Sequence, residues 1–196
     1  SFFKVLNTES KGCEFFKYWV INTVITSVSV SDLNFNPFSS NADPTMAAAV
    51  EKTSQLVMST VNAITASGEG AGLSKVDAFK TAMEAVVSVV KTNVESEKQI
   101  DFSDSNVLED IQQKATEVAI TKGVDEQSFD IALDQAIEKT KAVNKNIKEV
   151  EDVFSEEAKT VFNTATEVSS SAKEFAGTLN TAFSTGVSSS KVREVV

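Results

Sequence analysis

From Val124 to Ala176 the chain contains neither proline nor glycine. The two residues that most often end or kink a helix are therefore missing over a very long run. Reading every seventh position gives Leu133, Thr140, Ile147, Phe154, Val161, Val168 and Phe175. A neighbouring column holds Phe129, Ala136, Val143 and Val150 before it switches to Ala158, Ala165, Ala172 and Leu179. A sustained heptad column is the mark of a packing seam between helices. Fully helical, residues 126 to 176 would span ~75 Å at 1.5 Å per residue, longer than a compact domain of this size. Such a helix either projects or breaks. The column switch between Phe154 and Ala158 is the expected place for a bend or a change of partner, where Ser155-Glu156-Glu157 also suits the recapping of a new helix.

Upstream, the same amphipathic logic repeats with punctuation. Asp43-Pro44 reads as an N-cap followed by a proline at the first helical position, where its missing amide hydrogen is harmless. A helix is predicted from Pro44 to Ala66, with Val50, Val57, Val61 and Ile64 on its apolar face and Met46 and Leu56 flanking; Ser67-Gly68-Glu69-Gly70-Ala71-Gly72 stops it. Ser74 with Asp77 resembles a capping box and opens a second helix over Lys75 to Val94, with a stripe of Val76, Phe79, Met83, Val86, Val87 and Val90. Asp101 to Ser105 supplies caps for a third helix carrying Val107, Leu108, Ile111, Ala115, Val118 and Ala119 and ending at Gly123; Asp125 caps the fourth. Helices joined by short glycine-bearing loops form antiparallel neighbours.

The first 40 residues follow another pattern. Eight of the fifteen aromatics lie there, among them Phe15, Phe16, Tyr18 and Trp19. Val20 to Asp32 is rich in β-branched residues, and Val28-Ser29-Val30-Ser31 alternates with period two. A strand or strand pair is expected over 18 to 31; an amphipathic helix over Glu14 to Val24 competes with it, because Phe15, Trp19 and Thr23 also fall at helical spacing. The fold expected is mainly α: an antiparallel helical bundle over 41–183 with a long heptad-patterned C-terminal helix, preceded by an aromatic-rich, strand-like segment over 1–40. Residues 184–196 form a Ser-rich frayed tail.

The chemistry is spare. The sequence has no His and one Cys, Cys13, so histidine catalysis, most zinc sites and any intrachain disulfide are excluded. Oxygen-liganded Ca²⁺ or Mg²⁺ is the metal class left, with Asp101, Asp104 and Asp110 the best cluster, and helix capping is the favoured use of those residues. The glycine cluster at 68–72 lacks the preceding strand and following Lys-Ser/Thr of a phosphate loop and reads as a turn. Carboxylates such as Glu149, Glu151, Glu156 and Glu157, with Lys148 and Lys159 nearby, read as surface patterning. A net charge of -10 repels phosphate backbones and excludes nucleic acid as a partner. The most apolar stretch, Phe15 to Val30, is interrupted by Lys17, Asn22 and Thr23 and is too short to span a membrane. The chain opens at Ser1 without a Met and reads as a processed or excised piece of a longer product.

The stretch Leu33-Asn34-Phe35-Asn36-Pro37-Phe38-Ser39-Ser40, followed by Asp43-Pro44 and the Ala/Val-rich helix from Met46 to Ala66, resembles helical segments of large secreted bacterial surface proteins of the adhesin and surface-layer type. The resemblance covers roughly residues 28 to 122. It implies an extracellular or cell-surface location, a structural or attachment role and no catalytic residues, cofactor or enzyme activity. The function expected is a non-catalytic module that self-assembles, or packs with other surface proteins, through an N-terminal strand and helical seams. Its packing residues would be Phe15, Trp19, Val28, Val30, Leu133, Ile147, Phe154, Val161, Val168 and Phe175. The alternative is a helical carrier for lipid or another apolar ligand, since an aromatic-rich segment over a bundle can line a cavity.

Overall fold

The computed structural model describes residues 44–98 and 100–185. The strand expected over 18–31, together with Phe15, Trp19, Val28, Val30 and Cys13, lies outside the described residues, as does the tail beyond residue 185. Within them the chain forms five helices: α1 (Pro44–Gly70), α2 (Lys75–Glu95), α3 (Ser105–Thr121), α4 (Glu126–Glu149) and α5 (Glu156–Ser184).

The predicted starts are where side chains cap orphan amides. Ser74 accepts from the Asp77 amide at 3.1 Å, Asp104 from Asn106 at 2.8 Å, Asp125 from Ser128 at 2.9 Å and Ser155 from Ala158 at 3.0 Å. The Asp77 carboxylate receives the Ser74 hydroxyl hydrogen at 2.6 Å. The first helix runs one turn past the expected end at Ala66, because Gly68 and Gly70 stay helical and the stop is set by Gly72. Gly72 has φ +101°; the Gly72 amide donates to Glu69 at 3.1 Å and that of Leu73 to Gly68 at 2.9 Å. This is a Schellman end, repeated at Gly123 with φ +87°. α2 closes the same way on a residue that is not glycine. Glu97 has φ +54°, with the Lys98 amide donating to Asn93 at 2.9 Å. Left-handed backbone costs a side chain about 1 kcal/mol. Glu97→Gly is therefore expected to stabilise the protein by about 0.5–1 kcal/mol, read as a higher urea midpoint; a lower midpoint would refute this account of the cap.

α1 to α4 close a four-helix ring in which each helix packs on the next and α4 returns to α1, while α5 lies along the α1–α4 edge. Lys52 of α1 reaches the Lys148 carbonyl of α4, and Thr60 bonds Asn144, so these two helices are antiparallel. α5 runs with α1: Ala48, early in α1, packs on the cluster that holds Ala158, early in α5, and Gly70 at the end of α1 lies near Ala176. α1 is the enclosed helix. Of its described side chains only Pro44, Thr45 and Asn62 are exposed. Its most deeply buried polar residues are small hydroxyls that find acceptors within the helix. Thr53, Ser54, Ser59, Thr60 and Ser67 are buried and donate to carbonyls three or four residues back at 2.7–3.0 Å. That local bonding makes a Ser/Thr-rich helix compatible with a central position.

Two expectations need correction. The α2 stripe is rotated: Val76 is 62% exposed, and Phe79, Met83 and Val87 are half-buried, whereas Ala78, Ala82 and Ala85 are buried with Val86, Val89 and Val90. α2 is held between α1 and α3, and alanine allows the closer backbone approach on both sides. Of the two courses open to the long C-terminal helix it takes the break, at the place marked by the column switch, and what needs correcting is the heptad column, which is not one seam. Leu133, Thr140 and Ile147 are buried, but Phe154 is turned out at the corner, 60% exposed, and Val161, Val168 and Phe175 are half-buried. Beyond the corner the deepest positions are Ala158, Ala172, Ala176 and Leu179. The break needs no proline or glycine. Val150 leaves helical geometry at ψ 120°, Asp152 Oδ1 accepts from the Phe154 amide at 2.9 Å, Ser155 starts α5, and Val150 and Val153 are buried with Ala158.

Candidate functional site

The most elaborate polar arrangement in the described residues is a junction of three elements around Asn144. The Asn144 side chain is fully buried on α4. Its Nδ2 donates to the Phe102 carbonyl at 2.6 Å and to Thr60 Oγ1 at 3.3 Å, and its Oδ1 accepts from the Ser59 hydroxyl. The amide thus joins α4 to α1 and to the α2–α3 connection, whose Ile100 and Phe102 are buried in the core. Just outside, Lys148 Nζ meets Asp101 Oδ2 at 2.7 Å, and Asp101 Oδ1 accepts from the Ser103 amide at 2.9 Å and hydroxyl at 2.7 Å. Lys148 is therefore part of an inter-element latch rather than surface patterning, whereas Lys159 pairs within its own helix with Glu156.

Partial burial pushes the Asp101 carboxyl up, but hydrogen bonds from Lys148 and Ser103 and the lysine's charge outweigh it and hold the group below its ordinary value. A carboxyl lowered in the folded state contributes stability above its unfolded value of about 3.9, and that contribution is lost as pH falls through the folded value. Asp101→Asn is therefore expected to flatten the loss of stability below about pH 4, with little change in shape above pH 5. Urea midpoints measured against pH check this; an unaltered acid limb would refute it. The effect is small, because both side chains are more than a third exposed.

A second close contact joins α1 to α5. A Cβ on Gly70 would lie 2.3 Å from the Lys173 carbonyl oxygen, 2.7 Å from Ala176 Cβ and 2.9 Å from the Gly177 amide nitrogen. Lys173 bridges to Glu69 beside it at 2.5 Å. Ala63, Ala136 and Ala172 continue this small-residue contact into α4.

Two open grooves lie between helices among the described residues. One of about 260 Å³ between α3 and α4 is lined by Glu109, Asp130, Asp134, Glu138 and Lys141 among others, and one of about 280 Å³ between α2 and α3 by Thr92, Asn93, Asp110 and Lys114. Both linings are predominantly polar, unlike an apolar ligand cavity. Among the described residues no three Asp, Glu, Cys or His side chains cluster to hold a metal. Asp101 and Asp104 are engaged at the latch and the α3 cap, and no described helix is long and apolar enough to cross a membrane.

Comparison with protein-family models, with curated proteins and with solved structures finds no match to this chain. The assignment of a site therefore rests on geometry. Of the packing residues named from sequence, Leu133 and Ile147 are brought together in the main core, Val161 and Val168 pack against it, Phe175 packs beside Ala132, Ala176 and Leu179, and Phe154 stands outside. Sequence reasoning missed Asn144, Phe102 and Gly70. Asn144 did carry a signal, since it lies four residues after Thr140 on the apolar side of α4, where a polar residue calls for a partner. Gly70 read as punctuation, and nothing local to it announces a helix from a distant part of the chain.

Proposed function

We propose that this chain is a non-catalytic structural or attachment module, acting outside the cell or at its surface, that meets copies of itself or other surface proteins. The observation that carries this reading is the enclosure of α1. A central helix sheathed on three sides by α2, α4 and α5, with five of its buried hydroxyls bonded to its own carbonyls, is the construction of a strut. The latch at Asp101 and the junction at Asn144 support the same reading, since they use the polar groups to lock helix to connection.

The connector in this reading is the segment 1–40. Its sequence alternation at Val28 and Val30 and its aromatics Phe15 and Trp19 suit strand addition to an open sheet edge on a neighbouring copy. Light scattering over a dilution series, with negative-stain images of the same sample, tests it. The expected result is an ordered polymer that disappears when residues 1–40 are deleted, while the helical circular dichroism of the ring persists. A strict monomer at every concentration would overturn it.

A further inference from the structure

We propose that α5 exchanges between two copies of this chain, with α4, the corner at 150–155 and α5 straightening into one continuous helix. This rests on the self-association reading above and names its partner as a second copy. The heptad column Leu133, Thr140, Ile147, Phe154, Val161, Val168, Phe175 keeps its period through the corner, although its neighbour switches there from Val150 to Ala158 and the fold breaks. The corner residues, Val150-Glu151-Asp152-Val153-Phe154-Ser155, include no proline or glycine, and what bends them is a pair of side-chain caps from Asp152 and Ser155. Such caps compete with helix rather than forbid it. In the straight form Phe154, 60% exposed at the corner, falls on the column between Ile147 and Val161.

The antiparallel α4–α5 packing brings Ala136 beside Ala172 and Ala132 beside Ala176, pairs that lie symmetrically about position 154. If each α5 docks in the other copy with the same pairing, the two straight helices cross at their Phe154 residues on a two-fold axis. The α1–α5 and α4–α5 contacts away from the corner are then kept in trans, as closed two-fold exchange requires. Burial of Val150 and Val153 with Ala158 at the bent corner opposes the exchange, so the dimer grows with concentration.

The full chain, with Cys13→Ser, carries spin labels at Lys139→Cys and Ser170→Cys, both exposed positions, and is diluted into unlabelled protein. In the bent form the labels sit on adjacent helices whose axes are about 10 Å apart; in the straight form they are about 45 Å apart along one helix. The expected result is a short distance in monomers and a long one in dimers isolated at high concentration. Glu156→Pro supplies the second arm. Glu156 is the first residue of α5 and Ser155 before it has φ -70° and ψ 161°, so proline fits the bent chain. Inside a continuous helix the same proline is expected to reduce the dimer population by at least ~100-fold. A short distance in the dimer, a chain that stays monomeric after refolding at high concentration, or a dimer indifferent to Glu156→Pro would each overturn the proposal. Failure here is separable from failure of the strand reading, because Glu156→Pro leaves residues 1–40 intact and deletion of 1–40 leaves α5 intact.

Discussion

Replacing Asn144 with leucine is expected to lower the unfolding free energy by about 3 kcal/mol, measured as a fall in the urea midpoint at unchanged slope. Leucine supplies apolar bulk but no donor. The Phe102 carbonyl, 2.6 Å from Asn144 Nδ2, would lose that donor within a buried connection. Ser59 and Thr60 suffer less: the single Ser59 hydroxyl hydrogen can turn wholly to the Leu56 carbonyl, 2.9 Å away, and Thr60, which only accepts from Asn144, keeps its own donation to that carbonyl at 3.0 Å. The damage should therefore concentrate at the α2–α3 connection, where amide exchange ought to accelerate ahead of the helices. A double-mutant cycle with Ser59→Ala would give a coupling of about 1 kcal/mol if the two side chains act as one junction. A loss of less than 1 kcal/mol for Asn144→Leu, or zero coupling, would show that this amide does not tie the three elements together.

Gly70→Ala is expected to cost about 2 kcal/mol although alanine is the better helix former. The new methyl would meet the Lys173 carbonyl at 2.3 Å and the Gly177 amide nitrogen at 2.9 Å, and backbone cannot rotate aside as a side chain can. Relief requires α1 and α5 to separate, which also loosens the Glu69–Lys173 bridge. Gly177→Ala is the matched control. A Cβ there finds its nearest neighbour, the Gly70 carbonyl oxygen, at 3.7 Å, an ordinary contact. That substitution should stabilise α5 by about 0.5–1 kcal/mol through helix propensity. Thermal unfolding of the two variants should move in opposite directions; equal shifts would mean that the crossing is not as close as described.

Much of the helical architecture was readable because the signals are local. Ser74, Asp125 and Ser155 sit at their caps as expected, since capping depends on a side chain and an amide two or three residues away. The corner near 155 was readable from the switch between columns at Phe154 and Ala158. The rotation of α2 was not, because Val76, Phe79 and Met83 are the larger hydrophobes and hydropathy favours them. Which face goes inward was decided by α1 and α3 together, and two neighbours at close range select alanine. The extra turn of α1 escaped notice for a related reason: glycine at 68 and 70 looks like a stop until a partner helix needs the space.

The sequence by itself determined where helices start, their amphipathic period, the absence of histidine chemistry and a net charge of -10. These depend on residues a few positions apart or on composition, and no distant contact alters them. The tertiary structure alone decided that α1 is the enclosed helix, that Asn144 finds Phe102 and Ser59, that Lys148 finds Asp101, and that Gly70 is a point of contact. Each joins residues dozens of positions apart. A hydroxyl, an amide or a glycine has the same local pattern whether it faces water or another helix, and only the packed neighbour settles what it does.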